Sequence, residues 1–315
     1  MLSRSVSSTA SRPVSLITPA ELHKLLSSKN EEELPCVLDA SWHMPGSGRQ
    51  PFQEYRKKRI EGAAFWDVDQ IASESDVGVP HNMPSASQFE DACSRLGIKR
   101  DSHVVVYDTV GVFSSPRTAF TFKHFNHPQV SVLDGGLPRW IAEGYPIDEN
   151  RPTNPNPHAY KVDGGEKSDV RQWKDMTKNI KKGEKGDVVV DARAAGRFHG
   201  TDPEPREGLS SGHMPHSISL PFQSALSPES STTPPYRTLL KPEELEKVFV
   251  GALGKEKWEK VKQGEKSVTA TCGSGMTAAV LWLALQRAGV TDNTAIYDES
   301  WTGYASRPES KIVKS

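Results

Sequence analysis

The chain has 315 residues, of which 39 are basic and 40 acidic, for a net charge of −1 with histidine neutral. That near-balance gives no footing for nucleic acid or an anionic membrane as the main partner. No apolar run approaches the ~20 residues of a membrane-spanning helix; the longest, Ala278 to Leu285, has the length of a core helix. Three cysteines, Cys36, Cys93 and Cys272, are too few and too scattered for a disulfide framework or a zinc site, which points to a reducing compartment.

Met1 to Arg12 carries Arg4, Arg12 and five serines, with no acidic residue before Glu21. The bias resembles a short mitochondrial transit peptide and also suits an unstructured tail, so residues 1–13 are set apart as a possible targeting segment. Thr18-Pro19-Ala20-Glu21 is a capping box with proline in the first turn, predicting a helix through Leu22, Leu25 and Leu26. Strands are predicted at Cys36 to Ala40 and Ala63 to Val68. Ser85 to Gln88 is a second capping box, opening a helix that stops at Gly97. A strand at Val104 to Tyr107, a helix from Ser115-Pro116 and a strand at Val130 to Leu133 follow. Alternating strands and helices predict α/β architecture, a mostly parallel sheet with helices on both faces.

The second half repeats the plan. Val37-Leu38-Asp39-Ala40 returns as Val189-Val190-Asp191-Ala192, Asp108 matches Cys272, and Leu133-Asp134-Gly135 matches Tyr297-Asp298-Glu299. The steps from 108 to 272 and from 134 to 298 are both 164 residues, the length of a duplicated domain rather than a solenoid unit. The proline-rich stretch around Asn150 to Asn156 has linker composition. The predicted domains are therefore 14–149 and 166–308, joined by a linker at 150–165 and followed by a tail at 309–315.

Cys272 stands between a predicted strand, Lys266 to Thr271, and a predicted helix, Thr277 to Ala288. Gly273 and Gly275 allow the intervening turn to point several N–H groups inward, and the helix adds its positive end, a setting that favours a thiolate nucleophile. At the matching turn the first half has Asp108, which cannot act as a thiol, so only the second half is armed. A cleft between the halves is the natural substrate site. Cys36, in a strand, and Cys93, in an amphipathic helix, read as inert core residues.

The motifs together resemble the tandem-domain rhodanese superfamily, and within it the 3-mercaptopyruvate sulfurtransferases. They are Cys272-Gly273-Ser274-Gly275-Met276-Thr277, Gly196-Arg197-Phe198 with Glu204-Pro205-Arg206, Gly62 to Asp69, Gly212-His213-Met214-Pro215, and Leu133-Asp134-Gly135-Gly136. The likeness spans about residues 14 to 308. It implies two tandem rhodanese-like domains and transfer of sulfur to a thiol acceptor or cyanide through a persulfide on Cys272, with pyruvate released. By the same resemblance, Gly273, Gly275, Met276 and Thr277 belong to the substrate-binding loop, and Arg197 and Arg206 hold the carboxylate of a 2-oxo acid, an anion suited to the arginine fork. Asp69, His81 and Ser274 match a proton relay. No cofactor is implied. The implied partners are a small-molecule sulfur donor and a thiol acceptor such as a thioredoxin-like or sulfur-relay protein, in mitochondria, cytoplasm or both.

Three departures from the family pattern stand outside the expected chemistry: Met276 in place of a commoner valine, His216 in place of a small residue, and the loose turn Arg59-Ile60-Glu61-Gly62. His213 and His216 read as parts of a turn before a strand rather than as catalytic groups.

Four other functions compete. Thiosulfate is the other donor of the superfamily, and the uncharged Gly273-Ser274-Gly275 offers little attraction to a dianion, which favours mercaptopyruvate. A cysteine phosphatase on the same scaffold needs an arginine six residues after the cysteine, where this chain has Ala278. A non-catalytic binding module would have lost the cysteine, and a relay protein feeding tRNA thiolation or cofactor synthesis would keep it.

Overall fold

The computed structural model describes residues 13–30, 33–153, 155–164 and 167–315, so the first twelve residues of the possible targeting segment lie outside it. The first half runs β1 (Ser15–Ile17), α1 (Pro19–Leu26), β2 (Cys36–Asp39), α2 (Pro51–Lys57), β3 (Arg59–Ile60), β4 (Ala64–Phe65), α3 (Ala86–Arg95), β5 (His103–Tyr107), α4 (Ser115–His124), β6 (Gln129–Leu133), α5 (Gly136–Ala142) and β7 (Ile147–Asp148). The second runs β8 (Val170–Arg171), α6 (Trp173–Lys182), β9 (Val188–Asp191), α7 (Ala195–His199), β10 (Ser217–Ser219), α8 (Pro242–Leu253), α9 (Lys255–Lys262), β11 (Val268–Thr271), α10 (Ala278–Arg287), β12 (Thr294–Tyr297) and α11 (Ser300–Ala305).

Each half builds a five-stranded sheet whose neighbours are all parallel. The orders are β1-β6-β5-β2-β4 and β8-β12-β11-β9-β10, the same topology twice. The cysteine strand β11 and its counterpart β5 occupy the middle of their sheets, and ligands of open α/β sheets gather at the carboxyl ends of such strands. The capping boxes form at Thr18 with Glu21 and at Ser85 with Gln88. The strand expected over Ala63 to Val68 shrinks to Ala64–Phe65, because beyond it the chain leaves the sheet edge for the loop that carries Asp69.

Side chains alternate between two cores, as the period of a strand requires. In β5, Val104 and Val106 face α3 and α4, while Val105 and Tyr107 face α1 and α5. In β9, Val188 and Val190 face α8 and α10, while Val189 faces α6 and α11. The α3/α4 core and the α8/α10 core merge into one apolar cluster that runs through both halves. Its seam is α4 against α10, where Phe120 meets Trp282 edge to face with ring centroids 5.0 Å apart. Nine of the ten residues of α10 are buried, because the helix is covered by its own sheet on one side and by the other half on the other. Cys93 is fully buried in α3, and Cys36 is partly buried in β2 with its thiol pushed up to about 12 by burial. Both are poor nucleophiles.

One difference between the halves affects stability. Asp191, at the end of β9, is embraced by the Arg193 guanidinium at 2.6 to 3.1 Å. Its counterpart Asp39 is followed by Ser41 instead of arginine. Asp39 is fully buried and accepts the Ser41 N–H on Oδ1 (3.0 Å), while Oδ2 has no donor among the described residues. Burial pushes its carboxyl up to about 6. A carboxyl raised in the folded state leaves stability intact below its unfolded value and subtracts from it as pH rises through about 6. Asp39→Asn is therefore expected to stabilise the protein by about 1–3 kcal/mol at pH near 8 and to change little at pH near 4, read from denaturant melts at both values.

Candidate active site

Cys272 follows the last residue of β11 and is 2% exposed. The first turn of α11 clamps its loop: the Trp301 N–H donates to the Cys272 carbonyl (2.9 Å), and the Thr302 N–H and Oγ1 donate to the Gly273 carbonyl (2.8 and 2.7 Å). Gly275 has φ +85°, and a Cβ there would lie 2.7 Å from the Asp298 carbonyl oxygen, so only glycine fits. A Cβ on Gly273 would stand 3.3 Å from Arg197 Nη2 and 3.9 Å from Arg206 Nη1. Both guanidinium groups thus lie against the residue next to the cysteine. Met276 is buried and Thr277 immediately precedes α10.

The first half shows what this turn is built to hold. The Asp108 carboxylate accepts the N–H groups of Val110 (2.9 Å), Gly111 (2.8 Å), Phe113 (2.9 Å), Ser114 (3.1 Å) and Ser115 (3.0 Å), together with Ser115 Oγ (2.7 Å). It is an internal anion filling a cup of backbone donors. By the 164-residue step the corresponding amides around Cys272 belong to Ser274, Gly275, Thr277, Ala278 and Ala279. Of these, the Ala279 amide donates to the Met276 carbonyl (3.2 Å), and the others belong to the turn and helix start that follow Cys272.

Asp69, His81 and Ser274 come together across the two halves. His81 Nδ1 is 2.8 Å from Asp69 Oδ1, and His81 Nε2 is 2.8 Å from Ser274 Oγ. The Trp42 indole N–H donates to Asp69 Oδ2 at 3.0 Å. Burial lowers His81 below the ordinary histidine value, and Arg117 and Arg206 add to that effect; the hydrogen bond and charge of Asp69 pull the other way without overcoming it. For Asp69, burial raises the carboxyl, but the hydrogen bonds from His81 and Trp42 and the positive charges nearby outweigh it and leave it lowered. An ionised Asp69 only accepts, so Nδ1 carries the imidazole proton and Nε2 accepts the Ser274 hydroxyl.

The two arginines singled out in the sequence differ. Arg197 spends Nε and Nη2 on Glu204 Oε2 (3.1 and 2.5 Å), and Glu204 Oε1 accepts Arg193 Nη1 (2.7 Å). Arg193 is itself paired with Asp191 and lies over the Trp301 ring at 4.2 Å. Arg206 donates Nη1 to Thr302 Oγ1 (3.1 Å), while its Nη2 is buried without a partner among the described residues. Three guanidinium groups face two carboxylates here, and the uncompensated positive charge is that of Arg206. Burial disfavours that cation, with the Arg197 charge acting in the same sense, so it gains from meeting an anion.

Sequence reasoning missed three contributors. Glu204 was visible only as part of a motif, without its role as the partner of Arg197. Ser300 sits directly behind Cys272, with no motif to mark it. Arg117 of α4 donates Nη2 to the His81 carbonyl (3.0 Å) and to Asp298 Oδ1 (2.5 Å), while Asp298 Oδ2 accepts the Met83 N–H (2.7 Å). A first-half arginine thus ties the histidine segment to the second-half residue that backs the cysteine loop. His213 stacks on Phe198 with centroids 4.0 Å apart, and His216 stands in the turn before β10. A concavity of about 760 Å³ beside Lys123 and Lys167 includes none of these site residues in its lining.

The family profile described as Rhodanese-like domain matches the chain twice, at residues 18–143 and 173–307. A probable 3-mercaptopyruvate sulfurtransferase of Schizosaccharomyces pombe is 37% identical over 94% of both chains. The Tum1 protein of Saccharomyces cerevisiae superposes with a TM-score of 0.81 at 32% identity, covering 96% of this chain and 98% of that one. The sub-stoichiometric sulfur transferase subunit of yeast mitochondrial complex I gives 0.79 at 36% identity, covering 96% and 99%. The chain belongs to the rhodanese family, with two rhodanese domains in tandem.

A histidine lowered in the folded state contributes stability that is present above its unfolded value and is lost as pH falls below it. His81 is expected to titrate below the ordinary histidine value in an NMR pH series, and Asp69→Asn to move its midpoint further down, because Asp69 is the group that raises it. An upward movement in the variant would contradict this electrostatic assignment.

Proposed function

We propose that the chain is a sulfurtransferase that takes sulfur from 3-mercaptopyruvate. The observation carrying this reading is the unpartnered Nη2 of Arg206 beside Cys272, next to a turn, Gly273-Ser274-Gly275, that holds no charge of its own. That arrangement suits a monoanionic carboxylate held to one side of the reacting sulfur, and suits thiosulfate less. The names of full-length relatives support the same donor.

Arg206 receives the substrate carboxylate, and Arg197, held in place by Glu204, lines the same side. The Cys272 thiolate attacks the substrate sulfur. The S–S bond forms as the C–S bond breaks, and the electron pair leaves on the three-carbon fragment as the enolate of pyruvate. Ser274, hydrogen-bonded to neutral His81, delivers the proton that converts the enolate to pyruvate, and the proton released by the substrate thiol restores the relay. The persulfide is then held as an anion by the loop amides, as Asp108 is held in the first half. Attack by an acceptor thiol, or by cyanide, on the outer sulfur returns the Cys272 thiolate.

The acceptor class that fits is a small thiol or a thioredoxin-like or sulfur-relay protein, working in mitochondria, the cytoplasm or both. Among the described residues no helix is long and apolar enough to cross a membrane. Imaging the chain with and without residues 1–12 tests the mitochondrial part.

The kcat/KM for mercaptopyruvate should exceed that for thiosulfate, and the reverse order would overturn the donor assignment. Cys272→Ser should abolish both activities, and wild type incubated with donor should gain one sulfur atom on Cys272 by intact mass. Arg206→Met should lower kcat/KM for mercaptopyruvate by roughly 10–100-fold, the loss of one or two charged hydrogen bonds. Unchanged kinetics would place the carboxylate elsewhere.

A further inference from the structure

The Ser300 hydroxyl stands behind Cys272. It accepts the Cys272 N–H (3.0 Å), donates to the Tyr297 carbonyl (2.8 Å) and lies 4.0 Å from Sγ. Ser300 is fully buried, with a backbone φ of +49°. That left-handed region is one that side chains other than asparagine and aspartate seldom adopt.

The first half supplies the comparison. The residue 164 positions earlier is Gly136, with φ +55°, where a Cβ would fall 2.3 Å from the Asp108 carbonyl oxygen. The two turns are in register: the Trp301 N–H meets the Cys272 carbonyl (2.9 Å) as the Leu137 N–H meets the Asp108 carbonyl (3.0 Å). In the first half the hydroxyl on the anion comes from Ser115, and its counterpart in the second half is Ala279. The armed half therefore has no hydroxyl at the position of Ser115 and has one on the opposite turn, carried by a residue in a backbone conformation suited to glycine. A position that served only to make the turn would fit glycine, as position 136 does. A strained, buried residue whose side chain touches the reacting group points to function.

We infer that Ser300 is a positioning residue for Cys272, fixing its backbone and supplying a hydroxyl that turns from the Tyr297 carbonyl to Sγ when the sulfur is negative. No proton leaves Ser300; its O–H changes acceptor. The charge served is that of the thiolate before transfer and of the persulfide after it. This rests on Cys272 as the reacting thiol and not on which donor charges it.

The test is the pH dependence of iodoacetamide alkylation at Cys272, mapped by mass spectrometry in the full chain, for wild type, Ser300→Ala and Ser300→Gly. Ser300→Gly installs the first-half residue and relieves the backbone, so it should melt at or above the wild-type temperature. Both variants are expected to react roughly tenfold more slowly than wild type near neutral pH, with the rate profile displaced to higher pH and all three converging at alkaline pH. A Ser300→Gly profile that coincides with wild type overturns the inference, and it decides the matter alone if Ser300→Ala does not fold. Alkylation needs no sulfur donor, so failure of the mercaptopyruvate reading would show in pyruvate release and leave this result standing.

Discussion

The strand-to-helix turn at the carboxyl end of the central strand, filled by the Asp108 carboxylate in the first half and carrying Cys272 in the second, is the constraint around which each half is organised. A buried negative charge must be met by donors, and the strand-to-helix turn supplies them from the backbone. In the first half the requirement is visible as Asp108 with five amide donors and one hydroxyl. Gly275 and the clamp from α11 shape the corresponding turn around Cys272. The two turns share their position at the end of the central strand and the clamp on the carbonyl of residue 108 or 272, whichever side chain they carry.

The second constraint is that neither half is complete alone. The hydrogen-bonded series has Asp69 and His81 on the first half and Ser274 on the second, and the Arg117–Asp298 pair, with side chains 3% and 5% exposed, holds the two segments together. Such a pair is costly to break, because loss of one partner leaves a buried charge. The same seam carries α4 against α10 and one apolar cluster through both halves. Rigid attachment of the halves therefore keeps this arrangement in place, since a small shift across the seam would separate His81 from Ser274.

The charge around the cysteine is arranged with similar economy. Arg193, Arg197, Asp191 and Glu204 neutralise one another and form a rigid wall, leaving Arg206 with an open donor. Two arginines at family spacing look equivalent in sequence; in the fold Arg197 is paired with Glu204 and Arg206 keeps a donor without a partner among the described residues. Glu204 could not be recognised as the reason, because an acidic residue in a loop has many possible partners until the chain is folded.

The duplication, the alternation of strands and helices, the capped starts of α1 and α3, and a cysteine at only one of the two matched turns are all legible in the chain before it folds. These are local signals: capping boxes span four residues, strand patterns repeat every two, and a glycine-flanked cysteine between a strand and a helix is read within one turn. The strand at Ala64–Phe65 came out shorter than its apolar run, because that run contains a sheet edge and the start of a loop, which composition does not separate. Tertiary structure alone decided what crosses between distant segments. It brought His81 against Ser274, set Arg117 on Asp298, gave Glu204 to Arg197 and placed Ser300 behind Cys272. His81 and Ser274 lie 193 residues apart and Arg117 and Asp298 lie 181 apart, Ser300 meets the Cys272 backbone from 28 residues away, and Glu204 turns back on Arg197 across a loop of seven; none of these distances is set before the chain folds.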